Sequence, residues 1–181
     1  MYSAMGRPED ALSFLRHFLE RKQVGSNAVL TENTFYREGG NLAIESPLMA
    51  AQAVLEMMVQ SHNDVVRVFP SVSSTWADAS ISSLRTQGAF LVDASRSGGR
   101  TDWVKVHSEA GAPLVLEHGI TGDVDVRDAR GRRLEHRPRG TAVEIPLRRG
   151  QSAIVTRRGT RPDVSARDVK ANGSSSRWGL P

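Results

Sequence analysis

The apolar positions of the chain change their rhythm near residue 64. Before it, Leu12, Leu15, Phe18 and Leu19 recur three and four residues apart, with Ala11 and Phe14 beside them, the period of an amphipathic helix. Pro8, Glu9 and Asp10 open that pattern. A proline tolerates the first turn, and acids complement its exposed N–H groups. The pattern predicts a helix over 8–23, stopped at Gly25 and Asn27. A polar segment up to Gly39, Gly40 and Asn41 reads as loop, with one short extended piece at 34–36. A second helix is predicted from Ser46 as N-cap and Pro47 at the first helical position. Its apolar face would be Ala51, Val54, Leu55, Met58 and Val59, and it would end at Ser61, His62 and Asn63. Two helices of about fifteen residues cannot enclose a core together. Each must bury its stripe against other helices or a sheet.

From Val65 onward, short runs rich in β-branched residues alternate with turn residues. Strands are expected at 65–69, 80–86, 89–96, 101–108, 114–118, 124–128, 132–137, 142–146 and 151–156. Hairpin turns are expected at 97–100 and 129–132, where glycine supplies the positive φ that tight turns need. About nine short strands make two packed antiparallel sheets the natural solution. The expected fold is therefore α+β, a short N-terminal helical remnant followed by an antiparallel β-sandwich. The final stretch, 160–181, is polar with Trp178 as its single large hydrophobe, and is expected to be disordered.

Composition narrows the candidate chemistry. The 181 residues include no cysteine, which removes disulfides, thiolate metal sites and cysteine nucleophiles. No run approaches the ~18–20 apolar residues of a membrane span, and the first twenty residues lack a signal peptide's apolar core. The expectation is a soluble chain with no membrane contact and no export address of its own. The net charge of +4 conceals an asymmetry, because residues 127–161 hold 11 arginines against Asp128, Glu135 and Glu144. Such a patch can bind phosphate backbones. It reads more simply as a solvated charged surface, and nucleic acid is not the expected partner.

Residues 33–62, running from Asn33 through Ile44 and Glu45 to Glu56, Met57, Met58, Val59, Gln60, Ser61 and His62, resemble a stretch of glycoside hydrolase family 95, the α-L-fucosidases and their relatives. There, a Gln-Ile-Asp-Gly-Asn signature leads into a helix that ends in a Glu-Met-Leu-Leu-Gln-Ser-His-like run. Further motifs agree in order: 66–70 with a strand ending in proline, 74–78 with a tryptophan turn, and 81–90 with a Leu-Arg-Ala-Arg-Gly-Gly-Phe-like strand pair. The resemblance covers roughly residues 10–120. It implies a large α/α toroid that carries the active site, closed by a carboxyl-terminal sandwich. On that mapping, residues 1–63 are the last two helices of a toroid, 64–159 the sandwich and 160–181 a tail. The implied function is that of a C-terminal portion of an α-L-fucosidase-like hydrolase, inactive alone, that acts on carbohydrate through its parent enzyme and meets either the rest of the toroid or another copy through its helix faces.

Hydrolysis with inversion needs two carboxyl groups about 6.5–9.5 Å apart. One candidate is visible. Glu45 precedes the second helix, near N–H dipoles that favour its ionised form and suit it to the base role; the resemblance places it at the family's signature aspartate. Tyr36 and Asn41 could stack on and hydrogen-bond to a sugar beside it. Trp76 and Trp103 read as sandwich core in preference to a sugar platform. His62, His107 and His118 lack metal-ligand spacing, and no cofactor is expected. Two other classes of function compete, a self-standing carbohydrate-binding sandwich and a basic nucleic-acid binder.

Overall fold

The computed structural model describes residues 2–20, 29–30, 36–38 and 41–165. A 3-10 turn, Ser3–Met5, leads into helix α1, Pro8–Glu20. Strands β1 (Val29–Leu30), β2 (Tyr36–Glu38) and β3 (Asn41–Ala43) form a small antiparallel sheet, and helix α2 follows at Glu45–Met58. Ten further strands are β4 (Val59–Gln60), β5 (Val66–Val68), β6 (Ala79–Thr86), β7 (Phe90–Ser97), β8 (Arg100–Ser108), β9 (Pro113–Glu117), β10 (Val124–Arg127), β11 (Arg137–Arg139), β12 (Ala142–Pro146) and β13 (Ser152–Arg157). The fold is α+β, two helices followed by a sandwich of two five-stranded sheets.

One sheet has the order β10-β13-β8-β7-β6 and the other β11-β12-β9-β5-β4. All pairings are antiparallel except β5 with β9, where Val66 sits beside Leu116 in a parallel ladder. Side chains alternate between faces along each strand. Val92, Ala94, Val104, Val106, Ala153 and Val155 from the first sheet therefore meet Val66, Val68, Leu114, Leu116, Val143 and Ile145 from the second in one apolar core. The hairpin at 97–100 forms as expected, with Ser97 opposite Arg100 and Gly98 and Gly99 at φ 51° and 79°.

Several expectations need correction. Helix α2 begins one residue before Ser46, with Ile44 as N-cap and no side-chain cap. Its first intrahelical bond runs from the Leu48 N–H to the Ile44 carbonyl at 3.2 Å. Pro47 is thus still among the first-turn residues whose N–H has no helical partner, so the turn tolerates it without the expected cap. The buried stripe of α2 is also rotated. Ala50 and Met57 are buried, Val54 and Met58 of the predicted face are partly so, and Ala51 and Leu55 face solvent. That helix is apolar on nearly every side, so periodicity alone could not choose its face. Its end comes earlier than expected, because Val59 and Gln60 already pair with Val68 and Arg67 as the edge of the second sheet. The turn that follows places Asn63 and Asp64 at φ 56° and 57°. Residues 21–23 of the first predicted helix, and 166–181 of the predicted tail, lie outside the described residues.

Of the strand predicted at 132–137, only Arg137 lies in a strand, as the first residue of β11. Asp128 accepts the backbone N–H groups of Arg130 and Arg132 at 2.9 Å each and donates its own N–H to the Arg132 carbonyl. This closed turn leaves only an isolated bridge between Arg127 and Arg133. The chain then crosses to the other sheet, where Arg137–Arg139 forms an exposed edge strand. Pro138 is acceptable there because an edge strand leaves N–H positions unpaired.

Candidate functional site

Glu45, Tyr36 and Asn41 fall on one continuous stretch. Strands β2 and β3 form a hairpin in which Tyr36 pairs with Ala43 and Glu38 with Asn41, and Glu45 opens α2 two residues after that hairpin. Glu45 is exposed, lies in the first helical turn, and makes no hydrogen bond or ion pair with another described residue. The backbone therefore brings the three candidates into one neighbourhood. The side chains of Tyr36 and Asn41 lie outside the described residues.

The helices meet the sandwich at a defined seam. Leu12, Leu15, Ala50 and Met57 form a second apolar cluster, and Trp76, which also packs on the sandwich core, joins the two. Glu9 fastens the seam by accepting the Ser73 hydroxyl and the Ser74 N–H, each at 2.7 Å. The Ser74 N–H first, and then the Ser73 hydroxyl, hold the Glu9 carboxyl below its ordinary pKa. At the other end of α2, the buried Gln60 side-chain amide donates to the Ser3 carbonyl and hydroxyl at 3.1 Å and to the Glu56 carbonyl at 3.0 Å. Sequence reasoning passed over Glu9, which resembles any first-turn acid, and Gln60, whose only signal is its place in the Glu56-to-His62 motif.

Trp103 is fully buried, and Trp76 is half-buried in the seam. Trp103 therefore presents no ring face for a sugar, but it lies outside the core cluster between the sheets, against which Trp76 is only partly buried, so neither is the sandwich core expected of it.

A groove of about 810 Å³ crosses one end of the sandwich, with Arg67, Glu117, His118, Asp123, His136 and Arg158 among its lining residues. Its charges pair across strands and loops, Arg67 with Glu117 at 3.2 Å and Arg158 with Asp123 at 2.8 Å. Burial pushes the pKa of His118 down. Its Nδ1 accepts the Ile120 N–H at 3.0 Å, so the remaining proton of the neutral ring sits on Nε2. His136 donates from Nδ1 to the Leu134 carbonyl at 3.1 Å. These groups can hydrogen-bond hydroxyls, but the two carboxylates are both engaged by guanidinium groups. No three or more His, Asp and Glu side chains among the described residues are gathered as a metal site. No helix among them is long and apolar enough to cross a membrane.

The model for the C-terminal domain of glycoside hydrolase family 95 matches residues 60–155. No curated protein matches the chain. The matched region begins inside β4 and ends inside β13, taking in nearly the whole of both sheets. Because this region is more than half of the chain and supplies the sandwich core, the chain belongs to glycoside hydrolase family 95 through its C-terminal domain.

Proposed function

We propose that the chain is the carboxyl-terminal portion of an α-L-fucosidase-like hydrolase, without activity by itself, whose sandwich braces the helical catalytic domain of the parent enzyme. The observation that carries this reading is the two-sidedness of the helix pair. One stripe packs on the sandwich through Trp76, while Phe14, Leu48, Met49 and Ile44 stay 59–67% exposed on the other side. Large apolar side chains left this exposed on a helix pair suit a contact with further protein, and neighbouring helices of a toroid fit it. In such an enzyme Glu45 serves as the general base at the start of α2, with Tyr36 and Asn41 beside the sugar, and the acid across the glycosidic bond comes from the rest of the toroid. A positioned pair is required because a single carboxylate cannot both protonate the leaving oxygen and activate water on the opposite face.

The test is hydrolysis of an aryl α-L-fucoside by the purified chain. No turnover above the buffer blank is expected. Turnover that disappears in Glu45→Gln would overturn the claim that the chain is inactive alone.

A further inference from the structure

The outer face of the first sheet carries chemistry that neither the helices nor the groove uses. Strand alternation sends Val104, Val126 and Val155 into the core and turns Asp125, Thr156 and Trp103, which stand side by side in register on β10, β13 and β8, to the opposite face. A pocket of about 370 Å³ opens beside this row, lined by Arg127, Arg130, Arg161, Asp128, Thr156 and Thr160 among others.

The one carboxylate of that lining, Asp128, is engaged from outside it, and so in part is Arg127, through Asp125. Both oxygens of Asp128 are occupied, Oδ1 by the N–H groups of Arg130 and Arg132, and Oδ2 by the Arg132 guanidinium at 2.7–2.8 Å. Arg132 does not line the pocket, so the one carboxylate there is neutralised from outside. The side chains of Arg130 and Arg161 are exposed and make no hydrogen bond or ion pair among the described residues. Arg127 bonds the Gly131 carbonyl at 3.1 Å and Asp125 at 3.4 Å through its terminal nitrogens, and its Nε is buried without an acceptor. A buried donor without an acceptor is costly, and planar guanidinium groups match the oxygens of carboxylate and sulfate groups.

We propose that this pocket binds the carboxylate or sulfate group of an acidic sugar residue, an inference that rests on the carbohydrate-processing role proposed above. A nucleic-acid backbone would need a run of phosphate contacts along a continuous basic surface. Here Arg137 and Arg139 belong to the edge of the other sheet, and Arg148 and Arg149 to the turn between β12 and β13, so the basic residues do not form one stripe. The pocket's volume lies at the small end of ligand sites, which run from roughly 300 to 1,000 Å³.

The experiment is calorimetric and NMR titration of the full chain at low salt with four probes: glucuronate, galactose 6-sulfate, galactose and sodium sulfate. Saturable binding of at least one acidic sugar is expected, with no binding of galactose and weaker binding of free sulfate. Arg130→Ala and Arg161→Ala should each weaken that binding about tenfold. Arg127→Lys, which keeps the charge and loses the fork, should weaken it similarly. Arg148→Ala and Arg149→Ala should leave it intact. The stronger of the two acidic probes identifies the anionic group. Equal affinity for free sulfate and the acidic sugars, equal losses in the Arg148 and Arg149 variants, no saturable binding, or tight oligonucleotide binding lost in the same pocket variants would each overturn the proposal. Fucoside turnover by the free chain would overturn the role proposed above while leaving this site standing, so the two can fail separately.

Discussion

Trp103 illustrates how a single residue's surroundings exceed its sequence signal. It is fully buried, yet it lies on the face of β8 opposite Val104 and Val106, outside the main core cluster, and its indole N–H is buried without a partner. Trp103→Ala should cost about 3–5 kcal/mol in urea unfolding, as expected for removing a large buried aromatic. Trp103→Phe should cost far less, since it keeps much of the packing and eliminates the unpaired donor; equal losses would show that the indole nitrogen is satisfied. Glycines give a second comparison. A Cβ on Gly111 would lie 2.6 Å from the Arg149 backbone nitrogen, whereas one on Gly131 would meet open space, and both residues sit near φ 80°. Both alanine variants carry backbone strain of about 1–3 kcal/mol, and Gly111→Ala should lose measurably more stability than Gly131→Ala by thermal melting.

At the scale of elements, the attachment of α1 to the sandwich depends on Glu9. Its pKa is held below the ordinary 4.5 by the Ser74 N–H and the Ser73 hydroxyl. A depressed carboxylate contributes stability above its unfolded pKa and loses it as the pH falls through the folded value. Protection of α1 amides in hydrogen exchange should therefore hold at pH 7 and fall, relative to β7 and β8, as the pH drops below about 4.5. Glu9→Gln should show the reduced protection already at neutral pH; unchanged exchange in α1 would mean that Leu12 and Leu15 suffice to dock it. His118 acts in a higher window. Its folded pKa is pushed below 6.5 by burial, so its neutral form stabilises the fold above that value, and the contribution declines as the pH falls through the folded value. Melting temperature should begin to fall below about pH 6.5, and His118→Gln should flatten that first decline.

For the whole molecule, the exposed apolar side of the helix pair governs solution behaviour. Phe14, Leu48 and Met49 on α1 and α2 remain open to solvent, and the isolated chain should self-associate through them at micromolar concentration. The double variant Leu48→Glu and Met49→Glu should sediment as a monomer with the sandwich's melting transition unchanged. Association that persists in that variant would locate the contact elsewhere.

The β-rich part was largely legible because strand alternation and glycine turns are local signals. Eight of the nine expected strands coincide with observed ones over most of their length, 66–68 within 65–69 and 142–146 at the same limits among them, and the ninth shares only Arg137 with β11. The failure at 132–137 came from Asp128, whose carboxylate captures two backbone N–H groups, an outcome set by hydrogen-bond geometry in a turn. The candidate site was legible only as a position. The chain order alone places Glu45 a few residues beyond Asn41, whereas the partner groups of a catalytic pair depend on elements distant in sequence. By itself, the sequence determined the division into helices and sandwich, the places of most strands and the order of the family motifs, since each follows from local periodicity and residue type. Only the tertiary structure decided which face of α2 is buried, how Glu9 ties α1 to Ser73 and Ser74, and how arginines from 127–130 and 161 come to share one pocket. Those outcomes depend on contacts between residues far apart in the chain, which local patterning does not encode.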